Sequence, residues 1–187
     1  MSMALNVRRF PVEVFTESML LHGYLETARR LTDLANEGEP YITLHEIETY
    51  PYSGTLPATL SRHDRGLVNR DAIVLLAERD MGGPDVTGIE GMQIIKVAHR
   101  ILVHTNFFAI SADIHVPVSA DIEDFLKASP GQFVPVTDAN ATPIVPGTQL
   151  TGFERHFMLI NRDHIAYLGT AEKSVVVATP ATSGTTG

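Results

Sequence analysis

The two halves of this 187-residue chain repeat each other. Leu31, Asp33, Leu34 and Ala35 are answered by Ile122, Asp124, Phe125 and Leu126. Pro40-Tyr41-Ile42-Thr43-Leu44-His45-Glu46 is answered by Gln132-Phe133-Val134-Pro135-Val136-Thr137-Asp138, and Leu76-Ala77-Glu78-Arg79-Asp80 by Leu159-Ile160-Asn161-Arg162-Asp163. Thr16 and Thr105 open the two units, and the offset drifts from 89 to 92 before dropping to 83. A repeat of this kind implies a pseudo-symmetric scaffold of two modules, each roughly 80 residues long. Modules of that size have small cores and gain from packing on each other or on further subunits. The expected division is 1–98 for the first unit, 99–173 for the second, and 174–187 for an edge strand and a flexible tail.

Within each unit the apolar period changes from strand to helix and back. Val12 to Thr16 alternates, and Met19 to Glu26 reads as its hairpin partner, with Gly23 marking a bulge. Leu31, Leu34 and Ala35 then form a short helical stripe stopped by Asn36-Glu37-Gly38. Tyr41 to Tyr50 alternates again, Pro51 to Arg70 reads as a long loop, Ala72 to Ala77 as a buried strand and Met92 to Val97 as a closing strand. The second unit follows the same plan. It has a hairpin at Ile101–Thr105 and Phe108–Val116, a helix at Ser119–Ala128, and strands at Phe133–Thr137, His156–Asn161 and His164–Leu168. Val175–Val177 adds an edge strand. The expectation is a mainly β protein: two tandem, five-stranded curved sheets or barrels, each with one short helix, because twist and bulging favour closure.

Composition narrows the function. A net charge of −8 disfavours a general phosphate-binding surface. The absence of cysteine removes disulfides, thiolate nucleophiles and cysteine-based zinc sites, and fits a cytoplasmic setting. No run approaches the ~18 apolar residues of a membrane span.

Asp124-Phe125-Leu126, Phe133 to Asp138, and His156 to Ile165 together resemble the pattern of an uncharacterised bacterial domain family. The likeness covers Ile101 to Gly169, more weakly the first half. The family's strand pattern is similar to the small five-stranded barrels of the Sm-like class, whose members often assemble into rings. Those domains place their helix before the first strand, whereas here it follows the second, so no RNA-contacting residue carries over. The resemblance implies a small-barrel architecture and an oligomeric habit.

Candidate chemistry is sparse. The eight histidines show neither the i, i+4 helical spacing nor the His-x-His strand spacing that puts two imidazoles on one face. His156, Asp163 and His164 are the best candidates for a ligand or metal, and scattered surface histidines are the plainer reading. Arg29, Arg30 and Arg100 are the candidate nucleic-acid contacts, but they lack interleaved stacking aromatics. Asp33, Asp124, Arg79, Asp80, Arg162 and Asp163 recur between the halves and read as structural. No P-loop, Gly-x-Gly-x-x-Gly or Gly-x-Ser-x-Gly occurs. A duplicated fold without a convergent polar site points to a non-enzymatic scaffold without cofactor, self-assembling or part of a larger complex. The alternatives are a metal- or ligand-dependent enzyme at the cleft between units and an Sm-like RNA-binding protein.

Overall fold

The computed structural model describes residues 7–52, 61–79 and 96–170. The first half runs β1 (Arg8–Thr16), β2 (Met19–Thr27), α1 (Leu31–Ala35), β3 (Tyr41–Pro51), β4 (Ser61–Asn69), a 3-10 turn (Arg70–Ala72) and β5 (Ile73–Glu78). The second half repeats that order as β6 (Lys96–Thr105), β7 (Phe108–Pro117), α2 (Ile122–Ala128), β8 (Phe133–Pro143), β9 (Phe153–Asn161), a 3-10 turn (Arg162–His164) and β10 (Ile165–Thr170). The protein is mainly β, as its alternating segments imply.

The architecture differs from two closed barrels. All ten strands form one sheet in the order β10-β6-β7-β8-β9-β5-β1-β2-β3-β4, antiparallel throughout. The reason is a single junction. β5 is the edge of the first unit and β9 the edge of the second. Each satisfies its ladder on the other, through Leu75–Ile160, Leu76–Leu159 and Ala77–Met158. Among the described residues β4 ends the ladder on one side and β10 on the other.

Two strand expectations change. Residues 61–69, expected within a loop, form β4; its Arg62-His63-Asp64-Arg65 run is exposed, as a sheet edge wet on both faces allows. Lys96 and Val97, expected at the end of a closing strand of the first unit, open β6 instead. Among the described residues β5 is the last strand before β6. Residues 53–60, most of the closing strand expected at Met92, Val175–Val177, the tail and Asp80 lie outside the described residues.

The repeat itself also shifts in register. Leu76 and Leu159 are ladder partners rather than equivalents. The true counterpart of Asn161-Arg162-Asp163 is Asn69-Arg70-Asp71. Asn69 accepts from the Asp71 amide at 3.1 Å and Asn161 from the Asp163 amide at 3.0 Å, so each asparagine caps its own 3-10 turn. Arg70 and Arg162 each donate a backbone N–H to the residue before β3 or β8, Pro40 and Gln132, at 2.9 and 2.8 Å. Each guanidinium also reaches carbonyls near its helix: Arg70 that of Leu34, Arg162 those of Ser129 and Gly131. From Tyr41 and Phe133 onwards the two halves therefore correspond at one constant spacing.

The hairpins turn on the same device. Thr16 Oγ1 accepts from the Met19 amide at 3.2 Å and Thr105 Oγ1 from the Phe108 amide at 2.9 Å. The bulge expected at Gly23 falls on the strand opposite it: the two steps from His22 to Tyr24 face three on β3, and the two from Ser111 to Asp113 face three on β8. On the partner strand each bulge holds a carboxylate residue in the left-handed region, Glu46 at φ 50° and Asp138 at φ 47°.

Two buried clusters interlock across the junction. The first-half core of Val12, Val14, Leu44 and Leu76 takes in Phe133 and Leu159 from the second half. The second-half core of Val103, Ile110 and Val136 takes in Phe15, Val74 and Leu75 from the first. Phe15 stacks on Phe153 at 4.5 Å and meets Phe108 edge-on at 5.7 Å, so this ring cluster also spans the junction.

Candidate functional site

Polar groups concentrate along the seam where β1, β5 and β9 meet. Glu13 alternates with Val12 and Val14 on β1, yet it is buried. Its neighbours explain how a carboxylate survives there. Arg155, 142 positions away on β9, donates from Nε to Glu13 Oε2 at 2.8 Å and again from Nη2. His22, directly opposite on β2, brings Nε2 to 3.4 Å from Oε1. That approach lacks hydrogen-bond alignment, so Arg155 is the partner that fixes the carboxylate. Burial pushes the Glu13 carboxyl up, but His22 and Arg155 more than offset it and hold it below the ordinary carboxylate value.

Two depressions flank Arg79, which follows β5 and borders both. The larger, of about 540 Å³, is lined by Arg100, Asp138, Asn140, Glu154, Arg155 and His156. The smaller, of about 240 Å³, is lined by His22, Tyr24, Glu46 and Glu48. Each is lined by the left-handed carboxylate of its half's bulge, Asp138 in the larger and Glu46 in the smaller, but the larger adds β9 residues and the smaller β2 residues. Most of the lining charges are paired internally. Arg100 pairs with Asp113 at 2.9 Å and donates to the Asp138 carbonyl; His156 Nδ1 lies 2.8 Å from Asp138 Oδ1; Asn140 donates to Glu154. On the smaller side Arg9 pairs with Glu46 at 2.6 Å, and Tyr50 donates to Glu48 at 2.6 Å. The Tyr50 hydrogen bond is the main cause that lowers the Glu48 carboxyl. Such an arrangement orders the surface, but it aims no nucleophile or base at a common point.

The residues singled out from sequence fall in several places. His156 lines the larger depression with Asp138. Asp163 and His164 sit in the second 3-10 turn, where Gln132 donates to Asp163 at 3.1 Å and His164 Nε2 lies 2.9 Å from the Asp71 carbonyl. His156 shares no bonding partner with the other two. Among the described residues no three His, Asp or Glu side chains gather as a metal site requires. Arg29 pairs with Glu37, and Arg30 precedes α1 at its N-cap without a side-chain capping bond. Arg100 is in the other half, bound to its own acid. Asp33 and Asp124 are exposed at matching positions of α1 and α2. Arg79 is exposed beside both depressions, and Arg162 braces the end of α2.

Glu13, His22, Glu46 and Asp138 were not evident beforehand as members of a site. A signal existed for the last two, since both carboxylates end the same matched segment. Comparison with known proteins yields no relative: no protein-family model matches the chain, nor does any curated protein or solved structure. Fold and seam together define a mainly β protein with one ten-stranded antiparallel sheet and a polar seam rich in internal ion pairs. No described helix is long and apolar enough to cross a membrane.

Proposed function

We propose that this chain is a non-enzymatic interaction protein, a tandem duplication of a small, strongly curved five-strand unit that works by presenting its sheet edges to other protein. The observation that carries this reading is the open ladder. Among the described residues β4 and β10 have no second strand partner and lie at opposite ends of a sheet whose halves are joined by the β5–β9 ladder. Open edges of this kind are templates for strand addition. The seam supports the same reading, because most of its charged groups are paired with one another. A cytoplasmic setting belongs to this proposal and rests on the lack of cysteine.

Sedimentation velocity of the purified full chain over a wide concentration range tests it, together with a Leu168→Pro variant that blocks β10. The expected result is association that weakens when the edge is blocked. A strict monomer throughout, or association indifferent to the block, would overturn the reading. The depression beside Arg79 supports a second reading, in which the seam holds a small polar ligand; a melting-temperature screen that finds saturable stabilisation would favour it.

A further inference from the structure

Resting on that reading, we infer that the occupant of the open edges is a second copy of this chain, with β4 of one molecule paired antiparallel to β10 of the next. The chain already contains the template. β9 is the counterpart of β4 and β5 the counterpart of β10, and β9 pairs with β5 inside the molecule. Transferring that register places Leu67 opposite Leu168, Val68 opposite Tyr167, and Gly66 opposite Gly169.

The exposed apolar residues fall where this pairing needs them. Leu67 is 65% exposed, whereas its counterpart Leu159 is 0% exposed, buried by the internal junction. Tyr167 is 58% exposed and its counterpart Leu75 is 0%. Tyr41 is 53% exposed and its counterpart Phe133, which enters the other half's core, is 1%. Three large side chains, Leu67 and Tyr167 on the edge strands and Tyr41 on β3 beside one of them, are thus exposed at positions whose counterparts are buried. Scattered surface hydrophobics need no explanation, but a matched set at one interface does. Asn69 completes the set. Its counterpart Asn161 crosses the internal junction to the Ile73 carbonyl at 2.7 Å, which places Asn69 to reach Ile165 of the neighbour.

The outer junction also differs in a way that suits separable molecules. Glu13 and Arg155 correspond to Leu102 and His63, so the buried ion pair of the inner seam is absent. Because β4 and β10 are different surfaces, the contact is head-to-tail: each copy both offers β4 and accepts on β10.

The chain has no native cysteine, which makes cross-linking clean. Directly opposed antiparallel residues lie within disulfide range, so full-length Leu67→Cys and Leu168→Cys chains, mixed under mild oxidation, should form a mixed dimer. Leu67→Lys and Tyr167→Lys, both at exposed positions, should each abolish association while keeping the wild-type melting profile. Association that survives both lysine variants, or a Leu67→Cys chain that links only to itself, would overturn this pairing while leaving an edge-mediated function intact. A wild-type chain that stays monomeric would overturn both.

Discussion

Glu13 and Arg155 tie β1 to β9 across the intervening β5, with two guanidinium nitrogens on one carboxylate oxygen. The pair connects halves of the molecule whose cores already interlock through Phe133, Leu159, Phe15 and Leu75. Its geometry makes the seam directional. A buried charge on one side is answered only from the other half and from His22.

Removing Arg155 leaves that charge without its main partner. Arg155→Ala should cost about 2–4 kcal/mol, because an uncompensated buried carboxylate is far worse than a lost surface pair. The joint substitution Glu13→Leu with Arg155→Met should recover most of the loss, since both charges leave together. Urea unfolding of the three proteins measures this. An unchanged midpoint for Arg155→Ala would show that the pair contributes nothing.

The same pair sets an acid dependence. The folded-state value of Glu13 lies below its ordinary one, with burial opposing and His22 and Arg155 more than offsetting it. A depressed carboxylate contributes stability above its unfolded value, and that contribution is lost as pH falls through the folded value. Stability should therefore hold above the ordinary carboxylate value of 4.5 and decline as pH falls below it, and Glu13→Gln should show a shallower decline from a lower starting point. Parallel acid-limb slopes for the two proteins would remove Glu13 from the account.

The hairpins, the helices and the place of the bulge opposite Gly23 could be read from sequence because their residues follow one period and face one core. β4 could not, since an edge strand carrying Arg62 to Arg65 looks like a loop. Leu76 and Leu159 misled for a different reason. Both lie in apolar runs because they are opposed in the same junction, and two strands buried by one seam resemble each other as copies do. Glu13 was hidden by its own alternation, which assigns it to solvent until Arg155 arrives from a distant strand. Long-range pairing of this kind leaves no local mark.

Asn161 and Asn69 offer a matched comparison. Both cap a 3-10 turn, but Asn161 is buried and also donates to the Ile73 carbonyl. Asn161→Ala should cost about 1–3 kcal/mol by leaving that carbonyl unpaired. Asn69→Ala, measured in dilute solution, should cost about 1 kcal/mol or less, the value of an exposed cap. Equal losses in thermal or urea unfolding would contradict the burial difference.

The bulge residues Glu46 and Asp138 hold left-handed backbone angles that a residue with a Cβ adopts at a cost. Glu46 offsets part of that cost with an exposed ion pair to Arg9, a contact that solvent screening keeps weak. Glycine removes the backbone penalty and loses the pair, so Glu46→Gly should be neutral or stabilising by up to about 1 kcal/mol. Valine adds branching at the same angle and should destabilise by more than about 1 kcal/mol. Asp138→Gly and Asp138→Val should follow the same order, because Asp138 holds the equivalent bulge and its contact with His156 is also exposed. Thermal unfolding of the four variants decides the matter: valine tolerated as well as glycine at both sites would mean that the backbone there relaxes freely, and the bulge would then not fix the bend of the sheet.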